Sequence, residues 1–136
     1  MKLELKNREL KSYLSKLESL KGLTLDGDIA IAAVILEMSI SKKSNELEKA
    51  RILIVEGTCS KDESGKPKKT INSSDGQTFF SYEFDSTEKS QYCADEIEKI
   101  ESLSNEFEIK DCISVDRISK IACSTDQMKA LLLLTS

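Results

Sequence analysis

Hydrophobic and polar positions change period several times along this chain, and each change marks an expected element. Lys2 to Lys6 alternate, with Leu3 and Leu5 on one side, which predicts a short strand. Asn7 is then the expected cap of a helix carrying Leu10, Tyr13, Leu14, Leu17 and Leu20 at intervals of three and four. Gly22 is placed to close that helix in the left-handed conformation. A second helical pattern opens after Leu25 and Asp26, the staple and cap positions, with Asp28 in the first turn at the positive end of the dipole. Ile29, Ala33, Leu36, Ile40, Lys43, Leu47, Ala50 and Ile54 form a heptad-like series that Lys43 alone breaks. From Ile29 to Met38 the segment is apolar almost all round, which predicts burial on more than one side. Ile29, Ala33, Leu36, Ile40 and Leu47 are therefore the expected core or oligomer seam. A helix of about 28 residues measures about 42 Å at 1.5 Å per residue, more than the first helix can cover. Either the rest of the fold or a second copy of the chain packs along it. The apolar, largely β-branched Ile52 to Val55 leaves a strand open as the alternative there.

Gly57 to Lys69, with its Ser, Asp, Gly, Pro and lysines, reads as a loop. Asp75-Gly76 supplies the two positive-φ residues of a type I′ turn. Pairing outward from that turn sets Ile71 opposite Phe80 and puts Phe80, Tyr82 and Phe84 on one face, with Phe79 on the other. Four of the seven aromatic residues lie between 79 and 84, and packing against the helices is their expected role. Phe79 is the one expected to be exposed or intermolecular. Asp85-Ser86-Thr87-Glu88 reads as a capping-box variant opening a third helix, with Cys93, Ile97, Ile100 and Leu103 along one side. Phe107 and Ile109 alternate again as a short strand. Asp116 to Ser124 predicts a brief helix through Ile118 and Ile121, and Ser124 with Gln127 a second capping box ahead of Met128 to Leu134. The expectation is one α+β domain over residues 1–136: an N-terminal amphipathic helix and a long central helix packed with a small antiparallel hairpin and C-terminal helices.

Composition removes whole reaction classes. With no histidine, the chain has no Ser–His or Cys–His nucleophile and no imidazole metal ligand. No phosphate-cradling glycine motif occurs. The loop Asp62-Glu63-Ser64-Gly65 has too few oxygen ligands for a calcium site, so neither metal nor cofactor is expected. Cys59, Cys93, Cys112 and Cys123 form no C-x-x-C pair. No hydrophobic leader region precedes them, so reduced thiols in a cytosolic protein are the expectation. Helical periodicity would bury Cys93, Cys112 and Cys123, leaving Cys59 beside the lysine-rich loop as the exposed candidate. The longest apolar run, Ile29 to Leu36, is too short to span a bilayer.

Charge is uneven. Residues 1–25 carry six basic and three acidic side chains, whereas residues 83–111 carry ten acidic and three basic. Glu88, Asp95, Glu96, Glu98 and Glu101 lie along the third helix, with Glu106, Glu108 and Asp111 beyond it. That band reads either as a face docking on a basic partner or as an ordinary solvated surface. Net charge of −4 argues against sequence-specific nucleic-acid binding and against an anionic membrane. Lys66, Lys68, Lys69 and Phe79 form a second candidate binding surface on the loop and hairpin.

Three segments together carry a resemblance: Leu3-Glu4-Leu5-Lys6-Asn7, the run Lys61-Asp62-Glu63-Ser64-Gly65-Lys66-Pro67 before the aromatic hairpin, and Glu106-Phe107-Glu108-Ile109 after the acidic helix. Over roughly residues 2–110 the chain resembles small uncharacterised accessory proteins encoded by phages and prophages of Gram-positive bacteria. The resemblance implies an inhibitor of a host or immune protein, or a virion or assembly component, and brings no catalytic residues. The leading expectation is a non-enzymatic protein that binds a bacterial protein and inhibits or redirects it. A homo-oligomeric assembly component and a nucleotide binder or sponge are the alternatives.

Overall fold

A computed structural model describes residues 2–109 and 112–135, which leaves Asp111 of the acidic band outside the described residues. In chain order the elements are β1 (Lys2–Lys6), a 3-10 turn (Asn7–Glu9), α1 (Leu10–Glu18), α2 (Gly27–Thr58), β2 (Lys69–Ser74), β3 (Gln77–Tyr82), α3 (Thr87–Glu101), β4 (Ser104–Glu108), α4 (Val115–Ser119) and α5 (Thr125–Leu132). The chain is α+β, with a long central helix, two small antiparallel sheets and C-terminal helices. It folds as two compact units, Met1–Glu46 with Ser102–Ser136, and Leu47–Glu101. No helix among the described residues is long and apolar enough to cross a membrane.

In the first unit both expected strands form, and they are each other's partners. β1 and β4 pair antiparallel, with Lys2 opposite Glu108 and Lys6 opposite Ser104. Leu5 and Phe107 turn inward to the core. Asn7 does not cap α1: its side-chain oxygen accepts from the Asn105 amide, and the chain enters the helix through the 3-10 turn instead. Glu9 reaches back so that its carboxylate accepts from the Lys6 backbone N–H at 2.8 Å. α1 buries Leu10 and Leu17, and the left-handed Gly22 (φ 90°) closes the turn that follows.

The first half of α2 buries Ile29, Ala33, Leu36, Ile40 and Ser44. Ser44, rather than Lys43, occupies the inward position. An α-helix advances about 3.6 residues per turn, so an inward stripe spaced at strict sevens drifts off the face, whereas steps of eleven hold it. Ile29 to Ile40 and Ala33 to Ser44 are both such steps. The expected burial of Ile29 to Met38 on several sides is overturned. Ile31, Val34, Ile35 and Met38 are 62%, 52%, 54% and 66% exposed.

α4 and α5 complete the core. Ser114 caps α4, accepting from the Arg117 N–H, and the Ser124–Gln127 capping box forms as expected. Gln127 also donates its amide to the Ser19 carbonyl at 2.8 Å, satisfying an orphan acceptor at the end of α1. Leu10, Ile29, Ile40, Ile118, Leu131 and Leu134 are the largest fully buried side chains, and all six lie in this unit.

Arg117 pins α4 to the start of α2. Its guanidinium donates to both Asp28 oxygens at 2.6 and 2.8 Å and to Asp26 at 3.2 Å. These bonds hold the Asp28 carboxyl down at about 2, against an ordinary 3.8. A depressed carboxyl contributes stability that is full above the unfolded value and is lost as pH falls through the folded one. The melting-temperature gap between the native chain and Arg117→Ala is therefore expected to stay constant from neutral pH down to 3.8, and to close between 3.8 and about 2. A gap that persists unchanged below about 2 would show that the pair contributes nothing through this titration.

The second unit has a thin apolar core. α2 continues helical through Ile52 to Val55 and on to Thr58, so the strand alternative there is overturned and the loop begins later than expected. Cys59 and Cys93 are the buried apolar side chains among its described residues. The thiol expectation thus inverts at two positions: Cys59 is buried, whereas Cys112, past β4 in the first unit, is exposed. All four cysteines are free. Polar contacts supply what apolar packing does not. Arg51 pairs with Glu101, the Tyr82 hydroxyl donates to Glu56 Oε1 at 3.0 Å, and the Ser60 hydroxyl donates to Asp85. Because Asp85 is so engaged, the cap of α3 shifts one residue, and Ser86 Oγ accepts from the Lys89 N–H at 3.2 Å.

Candidate functional site

The hairpin in the second unit follows from local sequence. Asp75 and Gly76 take φ values of 51° and 76°, and Ile71 faces Phe80 as the turn requires. Ile71 and Phe80 share one face with the Lys69–Tyr82 pair, and Phe79 lies on the other. The packing role expected for these aromatics fails at Phe80, whereas Tyr82 and Phe84 are half-buried. Ile71 is 75% exposed and Phe80 58%, more than Phe79 at 47%. A two-stranded hairpin has no apolar interior of its own, so side chains that it does not pack against helices stay in solvent. Phe79 is exposed as expected, but it is not alone.

Charged groups decorate this ribbon. The Lys69 ammonium stands 4.5 Å from the Phe80 ring centroid and 5.1 Å from that of Tyr82, and the two rings meet edge to face at 6.2 Å. Lys68 pairs with Glu83 at 3.4 Å. The Thr70 hydroxyl and then Lys68 hold the Glu83 carboxyl below its ordinary value. Lys66 is exposed on the preceding turn, where Asp62 accepts from the N–H groups of Ser64 and Lys66 at 2.9 and 3.0 Å. The base of the ribbon is anchored. Burial and the neighbouring Glu56 both push the Tyr82 phenol up. The Ser60 hydroxyl, then Lys89, pulls Asp85 down. Lys66, Lys69, Ile71, Phe79 and Phe80 thus stand exposed on a fixed stem.

The acidic helix is less uniform than its composition. Glu88, Asp95 and Glu98 are exposed. Glu96 is half-buried and pairs with Lys99 at 2.8 Å, which raises that ammonium. Glu101 turns to Arg51 and leaves the outward face. Asp95 accepts from the Gln91 amide at 2.8 Å. Three carboxylates therefore remain of the expected five.

Ile29, Ala33, Leu36 and Ile40 are core residues of the first unit, and Leu47, in the second, is half-buried. The neighbouring face of α2 was missed, although Ile31, Val34, Ile35 and Met38 show the same spacing in the sequence. Beside that face a groove of about 560 Å³ runs between α2 and β4, with Ile31, Ile35, Phe107 and Ile109 among its lining and Asp28, Glu106 and Glu108 as its charges. Among the described residues its lining carries no cation to meet a polyphosphate.

No family model, curated protein or solved structure matches the chain. Among the described residues no three His, Cys, Asp or Glu side chains are grouped to hold a metal ion. Cys93 sits in the second unit with its thiol pushed up by burial. The Lys61 ammonium, 3.8 Å from the Cys59 sulfur, is also bonded to the Glu56 carbonyl.

Proposed function

We propose that this chain is a non-enzymatic binding protein of the phage accessory kind, acting by attachment to a bacterial protein that it inhibits or redirects. The observation that carries the reading is the ribbon of the second unit. Ile71, Phe79 and Phe80 are large apolar side chains left in solvent on a stem fixed by Tyr82–Glu56 and Ser60–Asp85. Exposed aromatics on a preorganised element are the usual anchors of a protein interface. Lys66 and Lys69 beside them suit a partner pocket that is apolar inside and carries carboxylates at its rim. Glu88, Asp95 and Glu98 form a separate outward face that contributes to steering in this reading.

The test is direct. Immobilised native chain is expected to retain one stoichiometric protein from a bacterial lysate, identified by mass spectrometry. The Phe79→Ser/Phe80→Ser double variant is expected to weaken that pair by about 100-fold or more, since anchors of this type contribute about 1–4 kcal/mol each. Both positions are exposed, so its circular dichroism is expected to match the native chain. Equal affinity in the double variant would remove the hairpin from the interface. The second reading, an assembly component, draws on the exposed face of α2.

A further inference from the structure

We propose that a second copy of this chain covers the exposed apolar face of α2, in an antiparallel helix pair that makes the first unit a dimerisation module. This surface is independent of the ribbon. Ile31, Val34, Ile35 and Met38 fall at i, i+3, i+4 and i+7, one stripe over two turns of helix, and each is more than half exposed. The other side of the same turns is filled by Ile29, Ala33, Leu36 and Ile40. This length of helix is therefore apolar on two sides, and its own unit covers one.

The stripe is complementary to itself in one orientation. Consider a two-fold axis perpendicular to α2 between Val34 and Ile35. Antiparallel helices then set Ile31 against Met38 of the other copy and Val34 against Ile35, twice over. Such a contact closes on itself as an isologous dimer. Charge agrees with this register. Between Ile31 and Met38 the one ionised residue is the half-buried Glu37, off the stripe. The stripe is flanked by Lys42 after it and by the Asp26–Asp28–Arg117 group before it, in which two carboxylates share one guanidinium. The antiparallel register brings Lys42 of one copy to the net-acidic Asp26–Asp28–Arg117 end of the other, at both ends. A parallel pair would instead set the two net-acidic ends together and Lys42 beside Lys42, which destabilises.

Four side chains and their neighbours on each copy come near the lower limit of a specific interface, about 1,000 Å² in total. The dimer is thus expected to exchange with monomer in the micromolar range and to have one preferred register.

Sedimentation equilibrium or light scattering from micromolar to millimolar chain reads this out. The native 15.2 kDa chain is expected to double in mass across that range. Ile31→Lys alone and Met38→Glu alone are each expected to stay monomeric, because both bury charge against an apolar side chain. Mixed in equal amounts they are expected to recover the dimer, because position 31 of one chain faces position 38 of the other. All these positions are exposed, and unchanged circular dichroism confirms the fold of each variant. A native chain that stays monomeric at every concentration overturns the proposal, as does either single variant that dimerises like the native chain. A mixture that stays monomeric overturns the antiparallel register. None of these results touches the ribbon, whose capture experiment stands or fails separately.

Discussion

Leu36→Asp is expected to abolish cooperative folding of the first unit. Leu36 is 3% exposed and belongs to the cluster that joins α2 to α1, β4 and α5. Truncating a buried leucine to alanine already costs about 2–5 kcal/mol. A carboxylate at the same place must either ionise in an apolar surround or hold its proton, and both add to that cost. A domain of this size has about 5–15 kcal/mol in all. The expected readout is loss of the sharp melting transition and of slow amide exchange in residues 29–40, whereas Leu36→Met keeps both. A melting curve unaltered by Leu36→Asp would show that the inward stripe of α2 is misplaced.

The second large effect falls on the other unit. Glu101→Lys is expected to destabilise it by about 2–3 kcal/mol, rather than to act on binding alone. Arg51 and Glu101 keep only 29% and 25% of their side-chain surface in water. The Arg51 Nε is buried with no hydrogen-bond partner among the described residues, so this guanidinium is already incompletely satisfied. Breaking a fully buried pair costs about 3–5 kcal/mol; partial exposure lowers that, and the incoming ammonium adds repulsion. Because the unit buries little beyond Cys59 and Cys93, it has few apolar contacts to absorb the loss. Glu88→Lys and Asp95→Lys, by contrast, are expected to leave the melting temperature within a degree or two, as exposed charges do. A Glu101→Lys chain melting with the native one would return Glu101 to the outward acidic face.

The features legible in the sequence are those governed by neighbours a few residues away. Asp75-Gly76 specified both its own backbone and the register of Ile71 on Phe80, because a two-residue loop leaves one pairing. Ser124 and Gln127 satisfy each other within one turn, and the structure repeats the pattern without change. Alternation at Leu3–Leu5 and at Phe107–Ile109 marked two strands, but nothing local told either one that the other was its partner. The cap of α3 and the burial of Cys59 were missed for a related reason. Ser60 recruits Asp85 across twenty-five positions, a contact no local pattern encodes. At α2, apolarity showed how much surface wants cover, not which molecule supplies it. Lys43 against Ser44 is the small case of the same limit, decided by the difference between 3.5 and 3.6 residues per turn. For the candidate site, Lys66, Lys69 and Phe79 were legible as a group, whereas the exposure of Ile71 and Phe80 depends on what packs against the ribbon, which no local pattern encodes.

The pairing of β1 with β4 carries a consequence for how the protein is made. The ribosome delivers residues 2–6 before their strand partner, which emerges only after all of Leu47–Glu101. At about 5–20 residues per second, Leu3 and Leu5 wait several seconds beside an apolar α2 before Phe107 and Ile109 arrive to cover them. The second unit, contiguous in sequence, has by then left the ribosome whole. Synthesis therefore completes the inserted unit before the one that surrounds it, and the nascent first unit is the stage at which this chain most needs shielding from its neighbours.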